Sequence, residues 1–301
     1  MFPGKVGRAL NLNQIFMVIT FESTQPGVRE IGRHKQMSAA SAALPTGAYT
    51  TFRTYEGNRI LRLIQHFRRL EESAGLMGQV GTINMQEAQT TVAQALQHAQ
   101  AEGWPTPDAR FRLTFAPPRL FISIEPFEAY PTSLYEIGVR CASVSLHRDN
   151  PQAKSTQFIA SAAEAYKTLP EGIHEGLMIA QDGSILEGLS SNFFAICTDP
   201  ATQKPALFTD EQHVLIGVTR SLVLEVAKSI LPIQQTAITV NSLTQGQVRE
   251  CFITSVSREI LPVVQIDAIR IGDGAPGPIT RTLIQSMATL IQREAEPLYA
   301  N

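Results

Sequence analysis

Lys154, in Pro151-Gln152-Ala153-Lys154-Ser155-Thr156, and Glu187, in Asp182-Gly183-Ser184-Ile185-Leu186-Glu187-Gly188-Leu189-Ser190-Ser191-Asn192, are the residues whose types and settings point to chemistry. A lysine amine can hold an aldehyde cofactor as a Schiff base, and a carboxylate can keep that cofactor's ring nitrogen protonated. Together they are the two ends of a pyridoxal phosphate (PLP) site. The chain has six lysines against nineteen arginines, so a lysine among Ala and Ser, away from other charges, stands out. Its neutral amine is the reactive form, and burial near cations favours that form. Each residue alone also fits a plainer reading, a solvated surface lysine and an exposed hairpin carboxylate.

Three further segments offer groups for a phosphate. Gly217-Val218-Thr219-Arg220 reads as a helix start, where free N–H groups and the helix dipole favour an anion. His66-Phe67-Arg68-Arg69-Leu70 sits at another helix start, and Arg69 can clamp phosphate with a bidentate fork. Thr254-Ser255-Val256-Ser257-Arg258-Glu259 follows a predicted strand and forms a third cradle of hydroxyls and N–H groups. A plain N-cap and a solvated basic face are the alternatives for the first two. Gly272-Asp273-Gly274-Ala275-Pro276-Gly277 matches GxGxxG, but a dinucleotide site needs a further strand and an acidic residue about 20 positions on. The sequence that follows is too short for that unit, so the segment reads as a turn into the last helix, and NAD is rejected.

The elements that must position these groups are legible in outline. Strands are expected near Ile15–Phe21, Tyr49–Tyr55, Arg59–Leu63, Arg110–Phe115, Leu120–Glu125, Val139–Leu146, Glu175–Ala180, Asn192–Cys197, Ala206–Thr209, Glu250–Ile253 and Val263–Ile266. Helical periodicity marks Ile64–Leu76, Met85–Ala101, Thr156–Tyr166, Thr219–Ser229 and Pro278–Ala295. Ser38–Ala43 reads as a loop, and residues 126–137, rich in Pro, Tyr and Glu, read as a domain boundary. The mixed order gives an α+β chain in two parts: 1–130 as a small N-terminal domain, 131–138 as an interdomain loop and 139–301 as a C-terminal domain.

Composition excludes several classes. With 301 residues, 44% hydrophobic and 17% charged, the chain is long enough for two cored domains. A net charge of -2 argues against a nucleic-acid partner. Cys141, Cys197 and Cys251 form no CxxC motif and read as buried free thiols, with no metal site expected. No stretch approaches the ~20 apolar residues of a membrane helix, and no signal-peptide pattern opens the chain. A cytoplasmic enzyme is the default expectation.

The ordered set HxxRL, AKS, EGxSSNxF, GxTR, TSxxRExxPV and GxxGPxT, running from about Gly47 to Thr280, resembles the fold-type IV PLP enzymes. These include branched-chain and D-amino acid aminotransferases, (R)-selective amine transaminases and aminodeoxychorismate lyases. The resemblance implies a smaller N-terminal α/β domain and a larger PLP-binding domain with a barrel-like sheet. It implies that Lys154 carries the Schiff base, that Glu187 meets the pyridine nitrogen and that Arg69 binds phosphate. Val218 and Thr219 would be helix-terminal phosphate donors, and Ser255 and Val256 a second phosphate loop. It further implies a homodimer acting on an amino donor (amino acid or amine) and a 2-oxo acid. Tyr49, Arg53 and Arg119 are the candidate substrate residues.

Several positions depart from the family pattern. Val256 stands where a hydroxyl residue is usual, and Ile159 where branched-chain enzymes place a tyrosine near the cofactor's phenolic oxygen. The first 40 residues lack the family's usual opening. Tyr49-Thr50-Thr51 is closer to the lyases and some amine transaminases. An aminotransferase is the expectation, with elimination of pyruvate from aminodeoxychorismate and an inactive fold relative as alternatives.

Overall fold

The computed structural model describes residues 17–24 and 27–299. The first part is an antiparallel sheet covered by helices. In chain order it comprises β1 (Val18–Thr24), β2 (Gly27–His34), α1 (Met37–Ala42), β3 (Ala48–Tyr55), β4 (Arg59–Leu61), α2 (Leu63–Leu76), α3 (Met85–Ala101), β5 (Ala109–Ala116) and β6 (Arg119–Pro126). In β3 and β5 side chains alternate between faces. One face, with Phe52, Phe111 and Leu113, packs on Phe67 and Leu70 of α2 and Val92 and Leu96 of α3. The other face carries Tyr49 and Thr51 on β3, with Arg112 opposite Thr51 and Arg110 opposite Arg53 on β5.

The second part continues with α4 (Thr132–Ile137), β7 (Val139–Val144), α5 (Gln157–Lys167), β8 (Glu175–Ile179), β9 (Ile185–Gly188), β10 (Asn192–Thr198) and β11 (Pro205–Phe208). It ends with α6 (Val218–Ala227), β12 (Ile233–Gln234), α7 (Val240–Thr244), β13 (Val248–Ser255), β14 (Glu259–Ile266), β15 (Ile269–Arg270), α8 (Pro278–Glu294) and β16 (Ala295–Pro297). Strands β10-β13-β14-β7-β8-β9 run in sequence, and the β9–β10 pairing closes them into a barrel. Strand β10 is apolar on both faces. Phe193, Ala195 and Cys197 enter the barrel interior, while Phe194 and Ile196 meet Leu222 and Val223 of α6 and Leu283 and Met287 of α8. That explains its near-continuous hydrophobic run. The three cysteines are free and buried.

Most expected elements are present, with instructive differences. Residues 15 and 16 of the first expected strand lie outside the described residues. Of the expected loop Ser38–Ala43, residues 38–42 are helical: Met37 and Ala40 pack on Val18, and Ser41 Oγ donates to the Met37 carbonyl. Small polar residues hid a helix whose stability comes from tertiary packing. The boundary segment holds α4. The C-terminal end crosses back, with β16 pairing β4 and Leu298 buried in the N-terminal core. Gly272–Gly277 is a turn into α8, as expected.

Candidate active site

The two parts meet at a cleft into which both sequence-singled residues turn. Lys154 lies in the loop between β7 and α5, and that loop is pinned to the N-terminal sheet. Tyr49 N donates to Lys154 O (2.8 Å), Thr156 N donates to Gly47 O (3.0 Å), and Lys154 N donates to Ser73 Oγ on α2 (3.2 Å). The Lys154 Nζ sits 5.0 Å from the centre of the Tyr49 ring. Lys154 is partly buried and lines the cleft. Burial first, then the fields of Arg69 and Arg148, drive its pKa well below the ordinary lysine value, and Glu187 opposes this more weakly. These effects favour the neutral, nucleophilic form of the amine.

Glu187 is fixed by barrel closure, where β9 pairs with β10 at Glu187 and Asn192. Its Oε2 accepts from Asn192 Nδ2 (3.1 Å) and Leu215 N (3.2 Å). Its Oε1 lies 3.0 Å from Arg148 Nε, but the two are not aligned for a hydrogen bond. Burial pushes the Glu187 pKa up to about 7, against the opposing pull of Arg148, the Leu215 N–H and Lys154. The Arg148 guanidinium stacks 3.7 Å above the Phe158 ring.

The phosphate-type groups gather in the same cleft: Arg69, Val218, Thr219, Ser255 and Val256 all line it. Arg69 Nη2 donates to Thr50 Oγ1 (2.6 Å), which is 2.8 Å from His66 Nδ1. Thus Thr50 faces the core and steers Arg69, while Thr51 faces the cleft. No side chain caps α6, so its first N–H groups remain for a ligand. Among buried polar atoms without a partner are Arg69 Nε, Arg148 Nε and Nη1, and Glu187 Oε1. A cationic donor (Arg69 Nε) and a carboxylate oxygen (Glu187 Oε1) without hydrogen bonds in one cleft suit a phosphate and a protonated ring nitrogen, so these residues fit PLP.

The substrate side differs from expectation. Tyr49 lines the cleft. Arg53 is not among its lining residues; it pairs with Glu259 (2.5 Å) and stacks on Tyr55 and Phe127. Arg119 is exposed at the start of β6 and pairs with Glu22 (2.6 Å). Ile159 lines a separate groove with Ser38 and Ala42, whereas Arg148 brings a guanidinium into the cleft. Sequence reading missed Arg110, Arg112, Tyr130 and Arg148 as cleft residues and named Arg258 only within its motif. The spacing Arg110-x-Arg112 on a strand was the available signal, since period two puts both side chains on one face.

Comparison with known proteins agrees with this geometry. The family described as Amino-transferase class IV matches residues 47–266. The D-alanine aminotransferase of Bacillus licheniformis is 31% identical over 144 residues, covering 47% of this chain and 48% of that protein. The branched-chain-amino-acid aminotransferase of Escherichia coli (strain K12) is 26% identical over 187 residues, covering 59% and 58%. The chain thus spans about half the length of the curated relatives it matches. Its fold is that of the branched-chain aminotransferase of Thermoproteus uzoniensis (TM-score 0.71, 22% identity, 94% of this chain and 100% of that one). It is also that of a hypothetical aminotransferase from Mycobacterium tuberculosis in its PLP-bound form (TM-score 0.68, 19% identity, 90% and 98%). With the match running through the Lys154, Glu187 and Ser255 segments alike, the chain belongs to the class IV aminotransferases.

Proposed function

We propose that this protein is a PLP-dependent aminotransferase that moves an amino group between an amino donor and a 2-oxo acid. The observation that carries this reading is that the Lys154 amine, its proton affinity lowered, and the buried Glu187 carboxyl line one cleft that also holds Arg69. PLP, the cofactor of class IV aminotransferases, supplies the electron sink when bound. Lys154 is the residue that would link it covalently, and Lys154 Nζ is the group that takes and returns the proton at the substrate's α-carbon. Glu187 Oε1 would hold the ring nitrogen's proton, stabilised by the two donors that fix Oε2. Arg69, the N–H groups of Val218 and Thr219, and the Ser255–Val256 turn would anchor the phosphate and so fix the tilt of the ring.

The lyase alternative rested on Tyr49-Thr50-Thr51. It loses ground because Thr50 is fully buried and bonded to His66 and Arg69, a role in holding Arg69 rather than in selecting elimination. The inactive-relative alternative rested in part on Ile159, which lines another groove. Purified protein loaded with PLP is expected to show visible absorbance that an amino donor bleaches and a 2-oxo acid restores. Lys154→Ala is expected to abolish borohydride-trapped label, and label retained in that variant would reject the assignment. A homodimer and a cytoplasmic location remain part of the proposal. Sedimentation at twice the chain's 33.0 kDa mass checks the first, and fractionation of the source cells checks the second.

A further inference from the structure

The guanidinium at the phosphate end of the cleft is aimed from behind. Arg69 stands on α2, and its Nη2 donates to Thr50 Oγ1 on β3 (2.6 Å). The same oxygen lies 2.8 Å from Nδ1 of His66, which precedes Arg69 on α2. Residues three apart share one helix face, so both side chains reach a single hydroxyl on the strand beneath them. All three are buried: Thr50 has no exposed surface, His66 keeps 2% and Arg69 8%.

The protons of this chain of contacts can be placed. A guanidinium only donates, so Thr50 Oγ1 is the acceptor from Arg69. The hydroxyl's own proton then needs an acceptor. Among the described residues Thr50 Oγ1 has no hydrogen-bond partner other than Arg69 Nη2 and His66 Nδ1. A proton on Nδ1 would leave the hydroxyl proton buried without a partner, which is unfavourable. Nδ1 therefore accepts, and the ring proton sits on Nε2. Burial, then the fields of Arg69 and Lys154, lower the imidazole pKa well below its ordinary value, in agreement with a neutral ring. The donation runs one way, from Arg69 to Thr50 to His66.

The ring that ends this chain is itself packed, and it adjoins the phosphate cradle. Phe52, also on β3, tilts against it with 5.2 Å between ring centres. His66 and Phe52 line a small cavity whose walls include Val218, Thr219 and Val256. Those three residues also line the cleft, so His66 stands behind the segments that would face a phosphate. Arg69 Nε is buried without a partner. The guanidinium is planar, so a bond that fixes Nη2 also fixes the direction of Nε. The orientation of the Thr50 hydroxyl thus decides where the unpartnered Arg69 N–H points.

We infer that His66 is a positioning residue for the phosphate end of the site: as the Nε2–H tautomer it takes the Thr50 hydroxyl proton at Nδ1, presents the Thr50 oxygen to Arg69 and so holds the Arg69 guanidinium toward the phosphate. This rests on the PLP reading for the identity of the phosphate compound; the tautomer rests on hydrogen bonds within the protein. Loss of His66 is therefore felt by the phosphate of a ligand and not by its ring.

The test compares PLP with pyridoxal, which lacks the phosphate, in fluorescence titrations of the full chain freed of cofactor, and reads the His66 ring by nitrogen NMR at neutral pH. His66→Phe is expected to weaken PLP binding about tenfold, the scale of one hydrogen bond to a charged group, and to change pyridoxal binding by less than about threefold. His66→Asn, whose amide offers an acceptor near the place of Nδ1, should recover part of the loss. Thr50→Val should lose PLP affinity to the same extent, and the double variant no more than either single one. The NMR signals should show a bare Nδ1 and a protonated Nε2; these and Thr50→Val carry the test if His66→Phe fails to fold. Equal losses for PLP and pyridoxal, additive losses in the double variant, or a proton on Nδ1 would overturn the inference and leave the aminotransferase reading standing. A wild-type chain that binds no PLP would reject both.

Discussion

At residue scale, Glu187 is the group whose protonation couples site to stability. Its carboxyl is raised from an ordinary value of 4.5 to about 7 in the cofactor-free protein, chiefly by burial. The folded state therefore holds this proton more tightly than the unfolded chain between those values, and stability falls as pH rises through that window. In Glu187→Gln the penalty disappears. Thermal melts of the cofactor-free proteins should nearly coincide below pH 4.5, and the variant should become the more stable one as pH passes about 7. Curves that stay parallel across that range would show that the carboxyl is not strained. Asn192 can be tested in the same way through its neighbour Gly217. A Cβ at Gly217 would come within 2.6 Å of Asn192 Oδ1, and the Asn192 amide holds both Glu187 Oε2 and Leu215 O. Gly217→Ala is expected to weaken PLP binding about tenfold, the scale of one displaced hydrogen bond to a charged group. Fluorescence titration of the cofactor reads this directly.

At element scale, the two long C-terminal helices begin differently. Helix α6 starts without a side-chain cap, and its first residues Val218 and Thr219 face the cleft. Helix α8 starts on a buried carboxylate instead: Glu250 Oε1 accepts from Ile279 N (3.2 Å) and Oε2 from Thr280 N (2.7 Å). A carboxylate at a helix N-terminus satisfies orphan donors and complements the dipole. The kind of donors that α6 leaves uncapped beside the cleft is thus satisfied internally in α8. Glu250→Ala should leave two N–H groups unsatisfied and cost about 1–3 kcal/mol. Chemical denaturation should detect this loss while leaving PLP affinity unchanged. A drop in PLP affinity comparable to the loss of stability would mean that α8 also supports the cleft.

At the scale of the whole molecule, the cleft exists only because two sheets are tied together. Arg53 on β3 bonds Glu259 (2.5 Å), which begins β14 just after the Ser255–Arg258 turn. Loss of this partly buried pair through Arg53→Ala should cost about 1.5–3 kcal/mol. It should weaken PLP and phosphate binding together, measured by melting temperature and cofactor titration. Unchanged binding would make the pair purely structural. Sequence by itself determined the order of most elements and singled out Lys154, Glu187, Arg69 and the Gly217–Thr219 helix start, which the fold brings to one cleft, because helical and strand periodicities, turn residues and short motifs are local. Tertiary structure alone decided that Ser38–Ala42 is a helix, that β16 returns to the first sheet, and which arginines face the substrate. Arg53, Arg112 and Arg119 are alike in sequence, but one meets Glu259, one meets only neutral oxygens and one meets Glu22. The partner of Arg53 lies 206 positions away along the chain. No local pattern encodes that separation; only the folding of the two sheets against each other sets it.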